Sequence, residues 1–411
     1  MRFSDLEKIK EKATIPELKK PARAIPVPQR EKVKPADTVA PPPPPLIPQP
    51  SAVHSANTPS PSNIPEPVKQ PAGRGPKSRR EAMELSRAPK APFKELDARA
   101  REVYSRVLDQ AGVFLKAVDQ PYTEKYEAIL ATCGLIIDTL KTNDLLLNYT
   151  NYSTAEDYLR AHTANTTILA LALGLEAGLD STELRLLGFC AMAHDIGMTE
   201  YAALYNRADR LGESEYSEMA LHAEAGVAKL DRIVDMDYKI KERAGHIVLQ
   251  THERIDGTGY PDRLSDEEID PLAQFISIAD TYEAMTHPRA WRDAINPPEA
   301  IKELVEKEGK GFNAKAVKAL ISAISIYPPG SVVSLSSGEI CRVLSVTRGF
   351  LTKPLVEILL DPDFSPIPPR PMNLYEHPLT SIERSVSFKE IADRNPKYAA
   401  RLEMSRWWVE W

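Results

Sequence analysis

An apolar run, Leu186 to Ala193, ends on two groups that are costly to bury, His194 and Asp195. The run reads as a buried helix, and an unpaired carboxylate at its end would carry a large desolvation penalty. A bound metal ion removes that penalty, so this point constrains the fold more than any other. Six of the eight histidines fall between positions 162 and 287. Within that window His162, His194-Asp195, His222, His252 and Asp280 are spaced 32, 27, 30 and 28 residues apart. Such spacing places about one polar group on each helix with its connection, and a helical bundle can bring groups so placed to one interior point. A single histidine on an apolar helix is more often a hydrogen-bonded core residue than a ligand. Imidazole and carboxylate without thiolate suit iron or manganese better than structural zinc.

Proline limits where a folded core can lie. Of 36 prolines, 20 fall in the first 92 residues, including Pro41 to Pro45, and aromatic residues are almost absent there. Such a segment cannot bury enough apolar surface to offset its chain entropy, so residues 1–92 are expected to be a disordered Pro-rich arm. Residues 1–100 hold 19 Lys and Arg against 11 Asp and Glu, leaving 33 against 47 for the remainder. The acidic remainder argues against a nucleic-acid duplex as partner; the basic arm reads as a solvated linker with a weak attraction for acidic surfaces. The first 20 residues lack the apolar run of a signal peptide, and no stretch is long and apolar enough to span a membrane, which predicts a cytoplasmic protein. Cys133, Cys190 and Cys341 are too few and too scattered for a disulfide framework or a Cys-rich zinc site.

The remainder predicts a mainly α chain. Helix-period residues such as Val103, Val107, Phe114, Ile129 and Leu130 mark a helical segment over 93–145, with two helices joined near Asp119-Gln120-Pro121. A helical bundle domain follows over 146–325, with helices expected at 155–178, 182–194, 214–232, 238–251, 267–286, 298–308 and 314–325. Asn296 and Pro297 suit the N-cap and first position of the sixth. After Tyr327-Pro328-Pro329-Gly330 the runs SVVSL, ICRVLSV and LVEILL, with turns at Ser337-Gly338 and Arg348-Gly349, predict a small β-rich segment over 330–411. No internal repeat is evident.

The strings AHDIG (193–197), HAEAGVAKL (222–230), THERIDGTGYP (251–261) and ADTYEAMTHPRAWR (279–292) resemble, in order and spacing, the signature blocks of HD-GYP domains, members of the HD phosphohydrolase superfamily. The resemblance covers roughly residues 150–325. It implies a core of five to seven helices holding metal ions and hydrolysing cyclic di-GMP to the linear dinucleotide or GMP. Carried over position by position, His162, His194, Asp195 and Asp280 match the superfamily ligands, with Asp195 placed to bridge two ions, and His222 and His252 match the ligands of a second ion. His194 and Asp195 are the expected catalytic pair. Arg289 and Arg292 match positions that hold substrate phosphate, for which a guanidinium fork is suited, although an ion pair with Glu283 or Asp293 would also account for them. Gly257, Gly259, Tyr260 and Pro261 match the GYP loop.

The site departs from the pattern three times. Met198 stands where a lysine is usual, Thr251 where a histidine is usual, and Tyr158 where a glutamate accompanies a third metal. The expectation is therefore two divalent metal ions, iron or manganese, in a binuclear site short of one ligand. His246 is not at the missing ligand's position and reads as structural. Two functions compete: a working cyclic di-GMP phosphodiesterase, and a catalytically weakened domain that senses cyclic di-GMP or docks on a signalling protein through the GYP loop or the Pro-rich arm. Hydrolysis of another nucleotide or phosphomonoester is a third, which the GYP loop disfavours.

Overall fold

The computed structural model describes residues 93–404, apart from 118–119, 121–124, 152–157, 290–291 and 347–349. The Pro-rich arm, the joint near Asp119-Gln120-Pro121 except Gln120, and the turn at Arg348-Gly349 lie outside the described residues.

Helix α1 (Phe93–Ala117) and helix α2 (Tyr126–Leu140) open the fold, followed by the single turn α3 (Leu146–Tyr149). Helix α4 (Tyr158–Glu176) is the axis of the bundle: most of its length is buried all round, which its Ala, Leu and Thr content allows without an outward polar face. Around it pack α1, α5 (Ser181–Ala193), α10 (Pro271–Thr286) and α12 (Ala314–Ile324). Asp180 caps α5 by accepting from the N–H groups of Thr182 and Glu183, and Asp270 caps α10 ahead of Pro271 at its first position. Between these helices run α6 (Ala202–Tyr205), α7 (Glu213–Ala220), α8 (His222–Leu230) and α9 (Tyr238–Gln250), and α11 (Pro297–Glu306) precedes α12.

The single helix expected over 214–232 is two, divided at Leu221, so that His222 begins α8. Asn296 does precede the helix of Pro297, but its side chain makes no capping bond. The N-terminus of α2 is capped from a distance: the Asp235 carboxylate, in the turn after α8, accepts from the backbone N–H groups of Lys125, Tyr126 and Glu127 at 2.9–3.2 Å.

Beyond the bundle lies an antiparallel sheet in the order β4-β3-β2-β1-β5, formed by β1 (Val332–Leu335), β2 (Ile340–Ser345), β3 (Leu355–Leu360), β4 (Pro366–Asn373) and β5 (Ile382–Ser385). The three apolar runs become β1 to β3. Strand β4 contains four prolines and holds an edge, the place where a missing N–H breaks no ladder. Two helices, α13 (Phe388–Arg394) and α14 (Pro396–Met404), follow the sheet. Asn151 Nδ2 donates to the Pro329 carbonyl at 3.0 Å and Ser325 Oγ to that of Leu351 at 2.6 Å, which fixes the sheet's approach to the bundle. No helix among the described residues is long and apolar enough to cross a membrane.

Candidate metal centre

Helices α4, α5, α8 and α10 and the C-terminal end of α9 converge at their polar positions. His162 comes from α4, His194 from the C-cap of α5, Asp195 from the residue after it, His222 from the start of α8, His252 from just past α9, and Asp280 from α10. The structure brings all six of these sequence-predicted residues together. The four histidines and Asp195 are buried, and Asp280 is half-buried.

Local backbone aims the imidazoles. His194 Nδ1 donates to the Ala191 carbonyl at 2.8 Å and His222 Nδ1 to that of Met219 at 2.7 Å. His162 Nδ1 donates to Glu283 Oε2 on α10. With Nδ1 so engaged, each ring turns Nε2 to the interior, the orientation that second-layer partners impose on metal-binding histidines. The Nε2 atoms of His162 and His194 face each other at 3.3 Å, and those of His222 and His252 at 2.9 Å. Two facing lone pairs need something electrophilic between them.

The carboxylates span both pairs. Asp195 Oδ2 lies 3.4 Å from His162 Nε2 and 3.6 Å from His194 Nε2, while its Oδ1 lies 3.3 Å from His222 Nε2 and 3.4 Å from His252 Nε2. Asp280 places Oδ1 3.2 Å from His162 Nε2 and Oδ2 3.7 Å from His252 Nδ1. Asp195 Oδ1 is buried without a hydrogen bond, an orphaned acceptor of the kind a cation satisfies. Two groups, His162 with His194 and Asp195, and Asp195 with His222 and His252, could each hold a metal ion. The donors present thus fit such an ion.

Electrostatics follow from the same geometry. Burial opposes charge on Asp195, but His194 and the imidazoles of His162, His222 and His252 around it outweigh it and hold the carboxyl well below its usual range. Burial likewise opposes protonation of His162, yet Glu283, Asp195 and Asp280 raise it well above the ordinary imidazole value. His252 is lowered, by burial first. The cluster prefers ionised carboxylates and gathers positive charge around them.

Two close approaches depend on glycine. A Cβ on Gly197 would fall 1.9 Å from the His222 carbonyl oxygen, so only glycine lets the 3₁₀ turn Ile196–Glu200 pack on the start of α8. A Cβ on Gly259 would lie 2.4 Å from Glu253 Cα. Glu253 organises the loop that follows: its carboxylate accepts from the N–H groups of Asp262, Arg263 and Leu264 at 2.7–3.0 Å. Gly257 takes a φ of +73°, and the peptide between Tyr260 and Pro261 is cis. The loop so folded lays the Tyr260 ring on His252, at 5.1 Å between centroids and 11° between planes.

The positions that depart from the HD-GYP pattern are occupied as follows. Tyr158 stacks on His162 at 5.4 Å and 20°, and the Arg289 guanidinium lies over the Tyr158 ring, 4.0 Å from its centroid. Burial, with Arg292 nearby, pushes the Arg289 guanidinium down to about 9. Arg292 donates to the carbonyls of Ala284 and Met285 near the C-terminus of α10. Thr251 is fully buried, and its hydroxyl donates to the Ile247 carbonyl at 3.1 Å. Met198 is half-buried in the 3₁₀ turn, and His246 is exposed on α9.

Sequence reasoning missed the residues that support this centre. Glu283, considered only as an ion-pair partner for the arginines, holds His162 and also accepts from Asn165 at 3.1 Å, whose Oδ1 in turn accepts from Tyr104 on α1 at 2.8 Å. The available signal was the i, i+3 spacing of His162 with Asn165 and of Asp280 with Glu283, which puts each pair on one helical face.

A family model described as the HD domain matches residues 150–315. A cyclic di-GMP phosphodiesterase of Pseudomonas aeruginosa is 30% identical over 244 residues, 56% of this chain and 58% of the relative. Cyclic di-GMP phosphodiesterase PdeB of Borreliella burgdorferi is 29% identical over 50% of this chain and 53% of its own. A 3'3'-cGAMP-specific phosphodiesterase of Vibrio cholerae is 26% identical over 46% of this chain and 36% of its own. The chain thus spans between 36% and 58% of the length of these curated relatives. A solved HDG"Y"P protein from Bdellovibrio bacteriovorus aligns over 59% of this chain and 76% of its own, with 20% identity and a TM-score of 0.47.

Proposed function

From the match of residues 150–315 to the HD domain and the likeness to cyclic di-GMP phosphodiesterases, we propose that the chain hydrolyses cyclic di-GMP to the linear dinucleotide at a binuclear centre. The observation that carries this reading is Asp195, each of whose oxygens faces a different pair of imidazole nitrogens. The residues that would hold the ions are His162, His194, Asp195 and Asp280 on one side and His222 and His252, with the same two carboxylates, on the other. Iron or manganese suits this set of nitrogen and oxygen donors. When bound, such ions supply Lewis acidity toward a phosphodiester and make water more acidic.

The chain's own groups set the geometry for that chemistry. The carbonyls of Ala191 and Met219 and the carboxylate of Glu283 keep three imidazoles in the tautomer that presents Nε2. Asp195 and Asp280 bring negative charge that would offset that of bound cations. Tyr260 covers His252 and excludes water from that side. Arg289, over Tyr158 beside His162, offers a cation to a substrate phosphate.

The test is turnover. Protein loaded anaerobically with iron or manganese is expected to convert cyclic di-GMP to the linear dinucleotide. Full metal occupancy with no product would overturn the reading. A second reading, a cyclic di-GMP sensor, is favoured by Thr251, whose hydroxyl is directed to Ile247 instead of the cluster, and by the neutral Met198. Calorimetry separates them: tight binding without product supports the sensor.

A further inference from the structure

The metal-ligand rings do not end at the metal cluster. On one side His162 stacks on Tyr158, which meets Tyr205 at 6.3 Å between centroids. On the other, His252 stacks on Tyr260, which meets Tyr216 edge to face at 6.0 Å. His194 lies between, 5.3 Å from His162 and 6.3 Å from His252. The buried cluster is thus flanked on both sides by a tyrosine pair that leads outward. Tyr216 is 56% exposed on an eight-residue helix with a single buried residue, Met219, so core packing does not explain its ring. Tyr158, Tyr205 and Tyr260 are each half-buried.

A cyclic dinucleotide has a matching layout. Two phosphodiesters and two riboses close a ring, and one base projects from each side. Aromatic faces bind bases by stacking, with little regard for base identity. We propose that Tyr158 with Tyr205, and Tyr216 with Tyr260, are the two base-stacking platforms of this site, and that the sugar–phosphate ring lies between them over Asp195 and Asp280. Arg289, held against Tyr158, places a cation on the first platform, where it serves either a phosphate or a stacked base. This rests on the cyclic-dinucleotide reading above and specifies which residues hold the substrate. Because stacking is tolerant of base identity, the platforms accept adenine as well as guanine, and 3'3'-cGAMP is expected to bind alongside cyclic di-GMP.

Tyr216→Ala and Tyr205→Ala test it, since neither ring touches a metal-ligand candidate in the ring contacts above. Each is expected to weaken cyclic di-GMP binding, by calorimetry and in KM, on the order of tenfold or more. Metal content and kcat should change far less, and Tyr216→Phe, which keeps the ring, should bind as wild type does. Tyr238→Ala, a tyrosine 74% exposed on α9 and outside this chain of rings, serves as the surface control. If wild type binds cyclic di-GMP and both alanine variants bind it equally well, the platforms are overturned while the proposed function stands. If Tyr216→Phe binds as poorly as Tyr216→Ala, stacking is the wrong account. If metal-loaded wild type neither binds nor cleaves cyclic di-GMP, the proposed function falls and this inference with it.

Discussion

On one side of Asp195, His162 and His194 each have Nδ1 tied to a fixed acceptor, Glu283 or the Ala191 carbonyl; on the other, His222 is tied to Met219, while His252 has both ring nitrogens turned toward the cluster. The orphaned oxygen of Asp195 also faces this second side, and so does the end of α9, where Thr251 has its hydroxyl on the backbone. Equal residue types therefore do not make equal sites. Anchored imidazoles are held in register before an ion arrives, and outer partners of this kind change metal affinity on the order of 10–100-fold. The first side should hold its ion tightly and the second weakly.

The variant with the largest expected effect removes the group common to both sides. Asp195→Asn should lower metal content on both and reduce turnover by more than the roughly 10²–10³ that loss of one transition-state contact costs. Elemental analysis beside kinetics checks this, and retention of one full ion would show that the sides do not share Asp195. Next in size, Glu283→Gln should loosen His162 and reduce affinity at the first side by about 10–100-fold, making the two sides alike in a metal titration. An unchanged titration would mean that Glu283 does not set the difference.

Met198→Lys restores a point charge beside Asp195 and should raise kcat by roughly tenfold, with metal content unchanged. If kcat does not rise, Met198 is not what limits the rate. The smallest effect lies outside the centre. Asp235 caps α2, and although burial opposes its charge, three backbone N–H groups hold its carboxyl below the usual value. Its contribution is present above the unfolded carboxylate range and fades as pH falls through the depressed folded value. Asp235→Asn should therefore cost about 1 kcal/mol at neutral pH, a few degrees of Tm, and nothing at strongly acid pH, with metal binding at both sides intact.

Five of the six ligand candidates were legible because each lies in a short string whose residues are adjacent in the chain, and His162 because it stands 32 residues before His194. What supports them was not, because it depends on packing. Glu283 acquires its role only when α10 lies against α4, and a carboxylate in a helix reads equally well as a surface ion pair. Tyr158 was legible as a departure, but its stack on His162 and contact with Arg289 required the fold. The break at Leu221 was hidden because apolar periodicity continues across it, and β4 was hidden by prolines that only an edge strand tolerates. Gly197 stood in its string without a reason until the His222 carbonyl was found behind it.

The proposed centre would hold two ions, tightly on the His162 side and weakly on the His222 side, and cleave cyclic di-GMP. Stepwise chelation of anaerobically metal-loaded protein, with metal per chain and turnover followed together, tests it most directly. Two ions per chain are expected, one lost at far lower chelator concentration than the other, with turnover disappearing as that first ion leaves. A single ion per chain, two ions lost together, or full occupancy without turnover would contradict it.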